Sequence, residues 1–133
     1  MRHQFQSNIK FTVLFFRELT IMTIQELNAL LTQKPVDFSV VMEVIDCHYE
    51  FTPTAFKNGH THNEANTNNG SCKLFSYAKA HQLNEQSTLN AFGDYYVVDV
   101  LQNPAGDDHQ NIRNFIEFGW NGIKFSAEAL KLK

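Results

Sequence analysis

The sequence predicts an α+β fold, a predominantly helical single domain over residues 22–133 with a small sheet or hairpin from about 50–57 and 120–126. Three observations carry that prediction. Five segments place apolar residues at helical spacing behind a capping residue. Periodicity fails over 50–70, where Tyr49, Phe51 and the Thr-Pro-Thr-Ala-Phe run favour extended backbone. The stretch from Trp120 to Phe125 reads as a second short strand after an Asn-Gly turn, and pairing the two extended stretches makes the domain α+β.

The first helix covers about 23–33. Thr23 and Glu26 stand three apart as a capping box, and Pro35 ends the helix because the residue before proline avoids helical backbone. Asp37 caps a second helix, about 38–49. Its polar stripe of Ser39, Glu43, Asp46 and Glu50 is narrow, so most of its circumference is buried. Asn58-Gly59 is a turn signal. Ser71 caps the third helix, which reaches about His81, and Asn84 caps the fourth, with Leu89, Phe92, Tyr96 and Val100 on one face across Gly93. Asn103-Pro104-Ala105-Gly106 is a turn. Asp107 or Asp108 then caps the fifth helix, in which Ile112, Phe115 and Ile116 face the core. Gln110, Asn114 and Glu117 form its solvent stripe, and Gly119 ends it.

Composition narrows the function classes. A chain of 133 residues, 43% hydrophobic and with 12 phenylalanines, can bury an ordinary core without metal or disulfide staples. Arg2, Lys10 and Arg17 against Glu18 leave the first 21 residues at +2 and residues 22–133 at −5. An acidic domain without a Lys/Arg stripe is a poor binder of nucleic acid or of an anionic membrane. Cys47 and Cys72, the two cysteines, read as reduced thiols of a cytoplasm rather than as a disulfide framework.

At Met22 the text changes character, from a basic start and a short apolar run to a capped helix. The run at 11–16 is shorter than the roughly 7–15 residues of a signal-peptide core and far shorter than the roughly 20 of a membrane span. Met22 is therefore expected to be the native start, with residues 1–21 an upstream extension; an amphipathic lead helix or a secretion signal is the rival.

Residues 48–73 concentrate the groups that could carry chemistry. His60, His62 and Glu64 alternate, so extended backbone would project them from one face. His48, Glu64, Cys72 and His109 have the atom types of a zinc site, although no pair stands at a strong ligand spacing. A divalent metal is the cofactor such a set would take. Cys72, as the first residue of a helix capped by Ser71, could be a thiolate, with Lys73 beside it and His48 or His109 as base. The plainer reading is a buried cysteine acting as a small hydrophobe. His109 lies on the apolar face of the fifth helix with Arg113 one turn on, which fits an anion or polar-ligand grip. The same pair fits a structural network held by Glu64, Asp99 or Asp107. Asn58, Asn63, Asn66, Asn68 and Asn69 read as loop formers.

Four blocks, HYEFTPTAFKNG (48–59), NEANTNNGSCKLFSYAK (63–79), LNAFGDYY (89–96) and HQNIRNFIEFGWNGIKF (109–125), together resemble the HopJ type III effector family. The resemblance covers essentially residues 22–133. It implies a bacterial protein similar to effectors that a type III system delivers into host cells, and it implies no reaction and no catalytic residue. His48, Asn58, Glu64, Cys72, Lys73, His109 and Arg113 fall in or beside these blocks. They are expected to converge on one pocket for a small polar ligand or metal. The competing expectation is a non-catalytic protein whose surface binds a host or bacterial protein partner, or a housekeeping cytoplasmic protein of the same fold.

Overall fold

The computed structural model describes residues 21–133, so the expected extension over 1–21, on which the expected start at Met22 rests, lies, Ile21 excepted, outside the described residues. The elements in order are α1 (Ile24–Leu31), α2 (Phe38–His48), β1 (Tyr49–Phe51), β2 (Phe56–Asn58), β3 (Thr61–Asn63), α3 (Asn69–Ala80) and α4 (Glu85–Asn90). A π-helical turn (Tyr95–Val100), α5 (Gln110–Phe118), a 3-10 turn (Gly119–Gly122), β4 (Ile123–Phe125) and β5 (Leu130–Leu132) follow. No described helix is long and apolar enough to cross a membrane.

Local chemistry sets several of these starts. Thr23 Oγ1 accepts from the Glu26 N–H and Glu26 Oε1 accepts from the Thr23 N–H, both at 3.0 Å, which completes the capping box. Asn84 Oδ1 accepts from the Ser87 N–H at 2.8 Å and starts α4.

The expected pairing of the two extended stretches forms, with β2 as its centre. The order is β3-β2-β4, all antiparallel, with Phe56 opposite both Asn63 and Phe125. Gly59, at φ 59°, and His60 make the turn that joins β2 to β3. The Gly59 N–H then donates to the Gly122 carbonyl at 3.0 Å and ties the hairpin to the 3-10 turn. A second ladder, β1 with β5, pairs Tyr49 with Leu132 and Phe51 with Leu130. Nothing in the periodicity of 126–133 announces it, because three residues are too few to show alternation.

Helix α3 runs through the core. The Phe75 ring meets Phe56, Phe92, Phe115 and Trp120 at centroid distances of 6.1, 5.5, 5.0 and 6.4 Å. Trp120 covers this cluster and spends its indole N–H on the Leu83 carbonyl at 3.0 Å.

Two expectations change. The fourth helix does not run through Gly93, which sits at φ 58° and breaks it into α4 and the π-helical turn. Leu89, Phe92, Tyr96 and Val100 are all buried nonetheless. On α5 the faces are rotated: Asn114 is buried at 8% exposure, while Ile116 is 47% exposed. Hydrogen bonds from Asn114 to the β2–β3 hairpin hold that rotation.

A polar group behind α3, together with Asp108 before α5, is expected to make stability depend on pH. Tyr49 Oη lies 2.7 Å from His81 Nε2, and the Tyr77 hydroxyl donates to Asn28 Oδ1 at 2.6 Å. Burial pushes both phenols above the ordinary tyrosine range and pushes His81 below the ordinary histidine range. The Arg113 hydrogen bond holds the Asp108 carboxyl below the usual carboxylate range. Depressed groups contribute fully above their unfolded values, about 6.5 for His and 3.9 for Asp, and lose that contribution as pH falls. The raised phenols contribute fully below about 10 and lose it as pH rises. Urea unfolding is therefore expected to show a plateau from about pH 7 to 9 with a decline on both sides. A midpoint that climbs below about pH 6 contradicts the assignment.

Candidate functional site

A cleft of about 400 Å³ opens between the β2–β3 hairpin, the amino ends of α3 and α5, and the aromatic rings of Phe38 and Tyr95. Its floor is built from asparagine. Asn63 and Asn111 form a reciprocal amide pair, with Nδ2 of each donating to Oδ1 of the other at 3.1 and 2.9 Å. Asn58 Nδ2 donates to the Asn111 carbonyl and to Asn111 Oδ1 at 2.8 and 2.9 Å. Asn68 Nδ2 reaches Asn63 Oδ1 at 2.7 Å, and Asn114 Nδ2 reaches the Asn58 carbonyl and Thr61 Oγ1, both at 2.9 Å. Asn58, Asn63, Asn111 and Asn114 are all buried. Leaving one such group unpaired costs about 1–3 kcal/mol, so this lattice locks the hairpin to α5. Asn58 Oδ1 is shielded from water and has no partner among the described residues.

The walls supply donors and no carboxylate. Helices α3 and α5 begin at Asn68 and His109, neither of which makes a side-chain cap, and neither helix has an acidic residue in its first turn. The amino ends of both helices line the cleft. Amide N–H groups and helix dipoles at such ends favour acceptor atoms and negative charge.

His109 borders the cleft in a left-handed backbone conformation, φ 51° and ψ 49°, that costs a non-glycine residue about 1–2 kcal/mol. Its Nε2 lies 3.0 Å from Asp99 Oδ2, and its ring lies 5.2 Å from the Tyr95 ring. Arg113 turns away from the cleft. Its Nη2 meets Asp108 Oδ1 at 2.7 Å, and it also donates to the Asp108 and Asn103 carbonyls at 2.6 and 3.0 Å. This is the structural network of the two readings, with Asp99 and Asp108 where Glu64, Asp99 or Asp107 was expected. Asp108 is drawn to Arg113, so neither Asp107 nor Asp108 caps α5.

Of the seven residues expected to converge, His109 lines the cleft and Asn58 lies directly behind Asn111. The others stand elsewhere. Glu64 is exposed and meets the exposed His62 at 3.4 Å. Lys73 pairs with Asp46 at 2.8 Å and sits over the Phe51 ring. His48 ends α2 next to Lys133, whose N–H donates to the His48 carbonyl at 3.0 Å, and its Nε2 is buried without a partner. Lys73 and Arg113 find their counter-charges locally and Glu64 stands in solvent, which removes the reason for them to reach a common recess. Among the described residues, no three His, Cys, Asp or Glu side chains are grouped to hold a metal.

Cys72 is not at the start of its helix. The helix begins three residues earlier, at Asn69, and the Cys72 N–H already donates to the Asn68 carbonyl at 2.9 Å. The thiol is 1% exposed, donates to the Thr54 carbonyl at 3.3 Å, and burial pushes its pKa up. That environment favours the neutral thiol over a nucleophilic thiolate. Iodoacetamide is expected to label the exposed Cys47 in the folded protein and Cys72 only in denaturant. Peptide mass mapping checks this, and equal native labelling of the two contradicts it.

Residues 24–130 match the family described as HopJ type III effector protein. The chain belongs to the HopJ family. A solved crystal structure of an unknown function protein, VPA0580, has the same fold, with a TM-score of 0.82 and 46% identity over 84% of this chain and 95% of that one. No curated protein matches this HopJ chain.

Reading the sequence alone missed Asn63, Asn68 and Asn111 as the floor, and Thr61, Ser71 and Gln110 as walls. A signal was present for part of it. Asn58 and Asn63 occupy the inward positions of strands with burial alternating inward and outward. Asn111 and Asn114 stand three apart on one helix face.

Proposed function

We propose that this HopJ-family chain acts as an effector by binding a small polar ligand, neutral or anionic, in the cleft above the Asn63–Asn111 pair. The observation that carries the reading is the cleft's chemistry. It is a recess of about 400 Å³ whose polar groups are amides, hydroxyls, helix-end N–H groups and one histidine, with no carboxylate in its lining. Such a site offers many directed donors and acceptors on a rigid floor, and no carboxylate lines it to face an anion directly. Tyr95 and Phe38 give one apolar wall against which a ring or a carbon skeleton can lie. The family supports synthesis in a bacterial cytoplasm followed by passage through a type III system.

Thermal unfolding with a panel of sugars, nucleotides, inorganic phosphate and small carboxylates tests the reading. At a concentration about 100 times its dissociation constant, a true ligand adds about 2.7 kcal/mol and raises the midpoint by several degrees. Ser71→Phe, which places a ring in the cleft wall, is expected to abolish that rise. An equal rise in the variant, or no rise across the panel, contradicts the proposal.

A further inference from the structure

A second recess, sharing no lining residue with the cleft, opens between the carboxyl-terminal half of α3 and the β4–β5 connection. It has a volume of about 280 Å³, with Tyr49, Phe125 and Leu130 as its apolar body and Ser76, Lys79 and Glu128 in its wall. At about 30 Å³ per water it has room for about nine non-hydrogen atoms.

Three polar groups there serve no bond in the fold. Ser76 Oγ is shielded from water and has no hydrogen-bond partner, although it lies close enough to Cys72 to bear on that thiol. Lys79 and Glu128 are exposed, opposite in sign, and without an ion pair among the described residues. Lys73, on the same helix, does have its counter-charge in Asp46. A ligand that uses both free charges must itself carry both signs, and the apolar body asks it for a hydrocarbon side chain.

We propose that this recess binds a free amino acid with an apolar side chain, as its zwitterion. The side chain lies against Phe125 and Leu130, the carboxylate meets Lys79, and the ammonium meets Glu128. Turning about its Cα–Cβ bond, Ser76 gives its hydroxyl to the same carboxylate. The inference is independent of the cleft and of what the cleft binds.

Amide chemical shifts recorded during titration with L-leucine, and separately with uncharged N-acetyl-L-leucinamide, test it. Leucine is expected to move the amides of residues 76–80 and 127–130 saturably in the roughly millimolar range, and the neutral analogue is expected to leave them still. Lys79→Met and Glu128→Gln, both surface changes, are each expected to weaken leucine by about two- to fivefold. Three outcomes overturn the inference: no saturable shift with leucine, equal shifts with the neutral analogue, or unchanged affinity in both variants. Leucine shifts at Thr61, Ser71 and Gln110 instead would also overturn it and would count for the cleft.

Discussion

Asn111→Leu is expected to lower stability by about 2–4 kcal/mol, and the unfolding midpoint by on the order of 10 °C. The side chain it removes accepts from Asn58 and Asn63 and donates to Asn63. Leucine restores volume but none of these bonds, so largely buried amide groups on β2 and β3 lose partners that water from the cleft replaces only in part. Asn58 keeps its bond to the Asn111 carbonyl and Asn63 keeps a long one to the Phe56 carbonyl at 3.3 Å, which sets the upper limit of the loss. Asn69→Ala is the control. Its amide makes a 3.3 Å bond in solvent, and its removal is expected to stay within about 0.5 kcal/mol. Urea unfolding of both variants checks the pair. Equal effects would mean that the lattice does not hold the hairpin to α5.

Gly93→Ala is expected to cost at least about 3 kcal/mol. Two effects add. The residue sits at φ 58°, and a Cβ there would stand 2.7 Å from the Val36 carbonyl oxygen and 3.1 Å from Asp37 Cα. Both neighbours are backbone at the entry to α2, so neither can swing aside. Gly70→Ala meets only the Phe38 ring, at 2.9 Å, in the first turn of α3, where alanine is the better helix former and offsets part of that crowding. That variant is expected to be near neutral. Thermal unfolding separates the two, and similar losses would contradict the packing described around Gly93.

These contrasts explain which features could be read before the fold was known. The Thr23–Glu26 box and the Asn84 cap are interactions between residues three apart, so the sequence alone contains both partners. The Asn58-Gly59 turn and the pairing of the 50–57 stretch with the 120–126 stretch follow from backbone preference and β-prone aromatics, and the register that sets Phe56 opposite Phe125 does not. The bonds that tie the asparagine floor to α5 join residues 48 to 56 positions apart, and local preference assigns Asn58, Asn63 and Asn68 to loops and turns Asn114 to solvent. The exchange of Asn114 for Ile116 on the buried side of α5 has the same origin, because the hairpin that captures Asn114 is distant in sequence. Charged candidates misled for a further reason. Lys73 and Arg113 each have a carboxylate partner at the surface, one 27 and the other 5 residues away, and sequence gives no measure of whether such a pair forms.

The central claim is that the space above the Asn63–Asn111 pair is a ligand site rather than a solvent-filled groove. Amide chemical-shift mapping with the compounds that stabilise the protein addresses it most directly. The account predicts saturable shifts concentrated at Thr61, Ser71, His109 and Gln110, absent in Ser71→Phe. Shifts scattered over the surface, or the same shifts in the variant, would contradict it.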